Sequence, residues 1–288
     1  MKKTIVGLFV MVITLISCSK DENLVQTTTS QREINSFSSQ KAITITGHRG
    51  AANLAPENTI SALNAGISHG VQRVEIDVHV TSDGIPIVMH DDSVDRTTNG
   101  TGLVKDLTYE YIKTLDAGSH FSEEFKGEKV PTLDEALKAV NGRATLLIEI
   151  KNDKGYYPEI EQKVVDLIHQ NNALEWSIVQ SFETPTLENV HNIDPTIELH
   201  KLFMAKVNFN QNEAENIDAK TENFDIMEYE YISEYSIFYL FATKNVIDSA
   251  HQEGKKVNAW TVNDSITAGI LKLNGIDGLI TDSPDRIK

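Results

Sequence analysis

Residues 73–91 read RVEIDVHVTSDGIPIVMHD, and this stretch decides how the chain folds. Val74, Ile76 and Val78 alternate with Glu75 and Asp77, so a strand here puts both carboxylates on the face opposite the apolar side chains. The next run, Ile85 to His90, is also β-prone, yet no helical stretch separates the two. The link is Asp83-Gly84, a strong two-residue hairpin signal, so the second run returns antiparallel to the first. With Asp83 and Gly84 central, Ser82 faces Ile85 and the register sets His90 opposite Asp77.

Outward from this hairpin, short β-prone runs alternate with longer amphipathic stretches, the pattern of parallel βα units. The runs are Ile43–Thr46, Arg73–Asp77, Thr145–Ile150, Ser177–Ser181, Glu198–Phe203, Phe224–Tyr229, Lys256–Thr261 and Gly278–Thr281. Helical patterns cover 59–69, 133–140, 159–171, 185–192, 244–253 and 265–273. Eight parallel strands in roughly 245 residues is the size of one α/β (β/α)8 TIM barrel. An open doubly wound sheet would call for a Gly-rich dinucleotide loop after the first strand, and Gly47-His48-Arg49-Gly50 is not one.

The amino terminus does not join this pattern. Lys2-Lys3 and the apolar run Ile5 to Ile16 read as a signal peptide, residues 1–17, too short to span a bilayer well. Leu15-Ile16-Ser17-Cys18 looks like a bacterial lipobox. Cys18 is the only cysteine, so no intrachain disulfide forms, and it sits where a lipid would be attached. Residues 18–41 are polar and aperiodic, a flexible tether. The expectation is a folded domain over 42–288, lipid-anchored in the bacterial cell envelope and touching membrane only through Cys18.

The net charge of −16 leaves no basic footprint for nucleic acid. An acidic chain can still take a phosphodiester when a cation sits in its site. In a barrel the active site lies at the carboxyl ends of the strands, where this sequence has His48, Arg49, Glu75, Asp77, Glu149, Lys151, Ser181, Trp260 and Asp282. Glu75, Asp77 and Glu149 converge on one mouth, and their oxygens suit one hard divalent cation, Mg2+ or Ca2+, better than zinc. A cation and Arg49 could neutralise a phosphodiester, Lys151 could add a second positive contact, and His48 and His90 could move the protons. Singly, each residue is more often a satisfied structural group, and a structural ion-pair ring is the alternative for the set. Asp282 reads as a cap or loop anchor. Tyr156 and Tyr157 read as lining the substrate entrance.

These residues also carry a resemblance. Gly47-His48-Arg49-Gly50, Pro56-Glu57-Asn58-Thr59, Val74-Glu75-Ile76-Asp77-Val78, Val88-x-His90-Asp91, Arg96-Thr97-Thr98, Glu149-Ile150-Lys151, Trp260-Thr261-Val262-Asn263 and Gly278-x-Ile280-Thr281-Asp282 are similar to motifs of the glycerophosphodiester phosphodiesterase family. The resemblance runs over about residues 43–287. It implies a barrel hydrolase releasing glycerol 3-phosphate and an alcohol, with a small insertion after strand two, about 79–131. It implies acid/base roles for His48 and His90, metal ligation by Glu75, Asp77 and Glu149, and phosphate contacts from Arg49 and Lys151. Glu57 matches a site-supporting position and Trp260 an apolar wall. The competing readings are a phosphodiesterase for lysophospholipid or a glycerophosphate polymer, and a binding lipoprotein that kept the barrel without catalysis.

Overall fold

A computed structural model describes residues 42–208, 213–217 and 230–287. Residues 1–41, read as a signal peptide and a tether with Cys18, and the strand expected over Phe224–Tyr229 lie outside the described residues. In chain order come β1 (Thr44–Gly47), α1 (Ile60–Ser68), β2 (Arg73–Val80), β3 (Pro86–Val88), α2 (Tyr109–Ile112), α3 (Leu133–Val140) and β4 (Thr145–Ile150). Then follow α4 (Ile160–Gln170), β5 (Ser177–Ser181), α5 (Thr184–Ile193), β6 (Glu198–Asn208), β7 (Glu213–Ile217) and β8 (Ile232–Phe238). The chain closes with α6 (Lys244–Gln252), β9 (Lys256–Trp260), α7 (Ser265–Leu273) and β10 (Gly278–Thr281).

Eight of these strands pair in parallel in the order β1-β10-β9-β8-β6-β5-β4-β2, and a β1–β2 pairing closes the ring. This is the (β/α)8 barrel. The sixth barrel strand is β8, whose sequence ISEYSIF sends Glu234 inward to Arg73 of β2 while Tyr235 and Ile237 join the outer core. β6 runs past the expected Phe203, and its extension pairs antiparallel with β7.

Alternation in each strand sorts the side chains. Val74, Ile76 and Val78 of β2 pack outward with Leu63 of α1, Leu133 and Leu137 of α3, and Ile148 of β4. The helices start where their caps dictate: Thr59 caps α1, and Thr132 with Glu135 forms a reciprocal capping box on α3. Inside the barrel, Leu147, Ile178 and Ile280 form a small apolar layer with Trp260 against it. Charged layers lie on either side: Arg73, Glu234 and Lys256 at the amino ends of the strands, and Glu75, Asp77 and Glu149 at the mouth.

The hairpin at 81–85 differs from expectation by one residue. β2 and β3 pair Val78 with Val88, His79 with Ile87 and Val80 with Pro86, so Asp77 meets Met89 rather than His90. The loop has three residues, because Gly84 adopts a left-handed φ of 83° after a turn closed by Gly84 N–H donating to Thr81 O. Thr81 locks it, its hydroxyl donating to Asp83 Oδ1 at 2.6 Å and accepting from Ile85 N at 3.0 Å. β3 ends at Val88, and His90 reaches the mouth beyond the ladder. The chain after it builds its own apolar cluster from Ile87, Met89, Val94, Val104, Ile112, Leu115, Ala117 and Val130.

Candidate active site

The turn after β1 sets the first pair of side chains. A Cβ on Gly47 would collide with the Gly50 carbonyl, and Gly50, at φ 90°, packs against the backbone of Ala62 in α1. Only glycine allows so tight a loop so close to a helix. Arg49 between them is held at φ 51°, an uncommon conformation for a residue with a side chain. The result is that Arg49 N–H donates to Glu75 Oε2 at 2.7 Å and the guanidinium donates to Glu57 Oε1 at 2.8 Å.

Glu75, Asp77 and Glu149 are all buried, and one oxygen from each lies within 4.8 Å of the others. Three adjacent buried carboxylates cannot all stay charged without a partner. Burial and the neighbouring Asp77 charge push the Glu75 carboxyl up to about 8. Burial likewise raises Glu149, against the pull of Lys151. Asp77 goes the other way: burial opposes its charge, but Lys151, His90 and Arg49 hold it well below the usual carboxylate range. Lys151 Nζ stands 3.0 Å from Asp77 Oδ1 and 2.5 Å from Glu149 Oε1, yet neither oxygen finds a well-aligned donor. Three buried carboxylates met at close range by a single ammonium fit a hard divalent cation. Asn58, itself at φ 58°, donates from Nδ2 to Asp77 Oδ2 at 2.8 Å and accepts from Asp77 N–H at 3.2 Å.

The two imidazoles are held alike. His48 Nδ1–H donates to Asp282 Oδ1 at 2.6 Å, and His90 Nδ1–H donates to Asp91 Oδ1 at 2.8 Å. Each leaves Nε2 as the available nitrogen. Asp282 is fixed in turn by Asn263, whose Nδ2 donates to Oδ2 at 2.7 Å. Their surroundings differ. For His48, burial is outweighed by Asp282 and the nearby Glu75 charge, and its pKa rises. For His90, burial prevails over the pull of Asp77, and its pKa falls.

An inner cavity of about 140 Å3 is lined by His48, Arg49, Glu75, His90, Lys151 and Trp260. An outer cavity of about 370 Å3 shares His90, Glu149 and Lys151 with it and extends past His79 and Phe182. Trp260 is anchored by Nε1–H donating to Ser236 O at 3.1 Å and edge contact with Phe182. Of the nine residues given catalytic, metal, contact or supporting roles, seven line the inner cavity, while Asp77 lies in the carboxylate cluster beneath it and Glu57 behind Arg49; Ser181 lines the outer cavity instead. Asp282 does anchor the neighbouring loops, through Asn263 and Asn53, but it also holds the His48 imidazole, a contact that the cap or loop-anchor reading did not include. Tyr157 corrects the entrance reading: it is buried, its hydroxyl donating to His79 Nδ1 at 3.0 Å. Asn58, Asp91, His79 and Arg96 were not anticipated. All but His79 stand in motifs already singled out, but their partners are set by the fold.

A second acid-and-histidine cluster, Glu198, His200 and Glu234, lies at the opposite end of the barrel. Arg73 grips Glu234 with two donors at 2.6 and 3.0 Å, and Asn258 and Lys256 complete the set. This is a structural ion-pair plug.

Residues 48–286 match the model of the glycerophosphoryl diester phosphodiesterase family. The chain is 35% identical over 246 residues to a glycerophosphodiester phosphodiesterase of Caldanaerobacter subterraneus, covering 84% of this chain and 95% of that one. Among solved structures, it is similar to an Oleispira antarctica phosphodiesterase in complex with the product sn-glycerol-3-phosphate. That match has a TM-score of 0.74 and 29% identity and covers 85% of this chain and 94% of the other. A glycerophosphodiester phosphodiesterase of Agrobacterium tumefaciens matches with a TM-score of 0.71 and 28% identity over 85% and 99% of the two chains.

Proposed function

The chain belongs to the glycerophosphoryl diester phosphodiesterase family and is a phosphodiester hydrolase, and from that premise we propose that it cleaves glycerophosphodiesters to sn-glycerol 3-phosphate and an alcohol by metal-dependent histidine catalysis. The observation that carries this reading is the pairing of two imidazoles, each with Nδ1 fixed by a carboxylate, over one cavity floored by three buried carboxylates. Glu75, Asp77 and Glu149 would hold one divalent cation, Mg2+ or Ca2+, which supplies charge neutralisation at the phosphate. Arg49 and Lys151 reach the same cavity and add positive charge where the transition state gains negative charge. One imidazole takes the proton of the attacking oxygen. The other gives a proton to the alcohol oxygen as its bond to phosphorus breaks. Trp260 offers an apolar wall to the carbon skeleton, and the wider outer cavity is the route by which the alcohol departs. Cys18 carries the lipid that anchors the domain in the cell envelope.

The decisive measurement is release of sn-glycerol 3-phosphate from glycerophosphocholine, with and without EDTA. Chelation is expected to abolish release and added Mg2+ or Ca2+ to restore it, and His48→Ala is expected to lower kcat by ~10²–10⁴-fold. Full activity of either the chelated enzyme or the variant would sink the mechanism.

A further inference from the structure

Arg96 belongs to neither cavity lining, yet it touches two of the carboxylates that orient the site, Asp91 and Glu57. Its Nε donates to Asp91 Oδ2 at 2.7 Å and its Nη2 to Asp91 Oδ1 at 3.1 Å. The same guanidinium donates through Nη1 to Glu57 Oε2 at 2.9 Å and through Nη2 to Glu57 Oε1 at 2.7 Å. Asp91 is the residue that fixes His90, and Glu57 is the residue that fixes Arg49. An unbroken chain therefore runs His90–Asp91–Arg96–Glu57–Arg49. It ties the return from the hairpin to the turn after β1, two segments that carry opposite sides of the catalytic apparatus.

We propose that Arg96 is a positioning residue that sets the separation of His90 and Arg49 through Asp91 and Glu57, without touching any reacting atom. Two carboxylates brought this close repel one another unless a cation stands between them. A planar guanidinium can grip both in two-point fashion, and a single ammonium cannot. Nearly half of the Arg96 side chain is exposed (48%), so solvent screens its ion pairs and tempers what they add to stability. What the bridge supplies is geometry, and a misplacement of about 1 Å costs ~10²-fold in rate.

The inference rests on the proposed phosphodiesterase reaction, and the test separates the two. Wild-type enzyme, Arg96→Ala and Arg96→Lys are compared for kcat and KM with glycerophosphocholine, for melting temperature, and for Mg2+ affinity by calorimetry. Failure of the wild type to release glycerol 3-phosphate overturns the parent reading. If the wild type is active, both variants are expected to lose ~10- to 100-fold in kcat. KM, Mg2+ affinity and melting temperature should stay near the wild-type values. Millimolar guanidinium, a small cation able to enter the exposed gap, should recover part of the activity of Arg96→Ala, whereas ammonium should not. Arg96→Lys keeps the charge and the stem, and so tests the bridge even if the alanine variant folds poorly. Wild-type kcat in Arg96→Lys overturns the inference. So does a loss that follows melting temperature or Mg2+ affinity and resists guanidinium.

Discussion

The two ends of the barrel hold the same kinds of side chain in opposite states of balance. At the amino end, Glu234 and Glu198 face Arg73 and Lys256, with His200 and Asn258 filling in. Arg73 and Asn258 hold the Glu234 carboxyl well below the usual range although burial works against them. At the mouth, Glu75, Asp77 and Glu149 share Lys151 with an Arg49 that is already bonded to Glu57, and the surplus pushes Glu75 up to about 8. A balanced buried cluster is architecture. An unbalanced one beside a cavity is a place prepared for a ligand of opposite charge.

That difference is broken most directly by neutralising one carboxylate at the mouth. Glu75→Gln should lower glycerol 3-phosphate release by ~10³-fold or more, because it removes one of the three carboxylates proposed to hold the cation. Its melting temperature in EDTA should match or exceed that of the wild type, since the amide needs no proton to sit beside the Asp77 charge in the buried cluster. Calorimetric unfolding beside the kinetic assay tests both halves. A variant that loses stability along with activity would place the mouth in the same class as the plug.

At the other end the effects should exchange. Arg73→Met leaves Glu234, among the described residues, with Lys256, Asn258 and His200, and removing one member of a buried ion pair costs about 3 kcal/mol. Urea titration should show that loss, while turnover per folded molecule stays within about twofold of the wild type. A turnover deficit in the folded fraction would mean that the plug shapes the mouth through the apolar layer between them.

The mouth was legible in the sequence and the plug was not, for a physical reason. Glu75 and Asp77 stand out because they interrupt an apolar alternation on a strand that must be buried, and Glu149 with Lys151 repeats the spacing on β4. β8 interrupts itself from the inside: Glu234 and Ser236 point to the barrel axis, and the remaining Tyr235 and Ile237 make no continuous run. Local pattern also cannot reach Asp282, whose partner lies 234 positions away. Nor can turn chemistry alone count the residues of the 81–85 loop, where Asp83-Gly84 is equally compatible with two-residue and three-residue hairpins until Gly84 takes its φ.

The smallest expected effect is also the one that sets both ends against each other in a single measurement. In the folded, metal-free protein Glu75 titrates near 8, against about 4.5 when unfolded. Between those values the folded state holds the extra proton, so stability falls as pH rises. Glu234 is depressed in the folded state, so its contribution is complete above its unfolded value of about 4.5 and is lost as pH falls below it. Melting curves in EDTA should therefore decline on both sides, the acid limb belonging to the plug and the limb toward pH 8 to the mouth. On the proposed reading, a divalent cation at the mouth would take the place of the Glu75 proton. Its stabilisation should grow by a few degrees from pH 6 to pH 8, flattening that limb and leaving the acid limb alone. Glu75→Gln should abolish the pH 6 to 8 growth and keep the acid limb. A cation shift of equal size at pH 6 and pH 8 in the wild type would show that the surplus charge at the mouth is met by the protein itself.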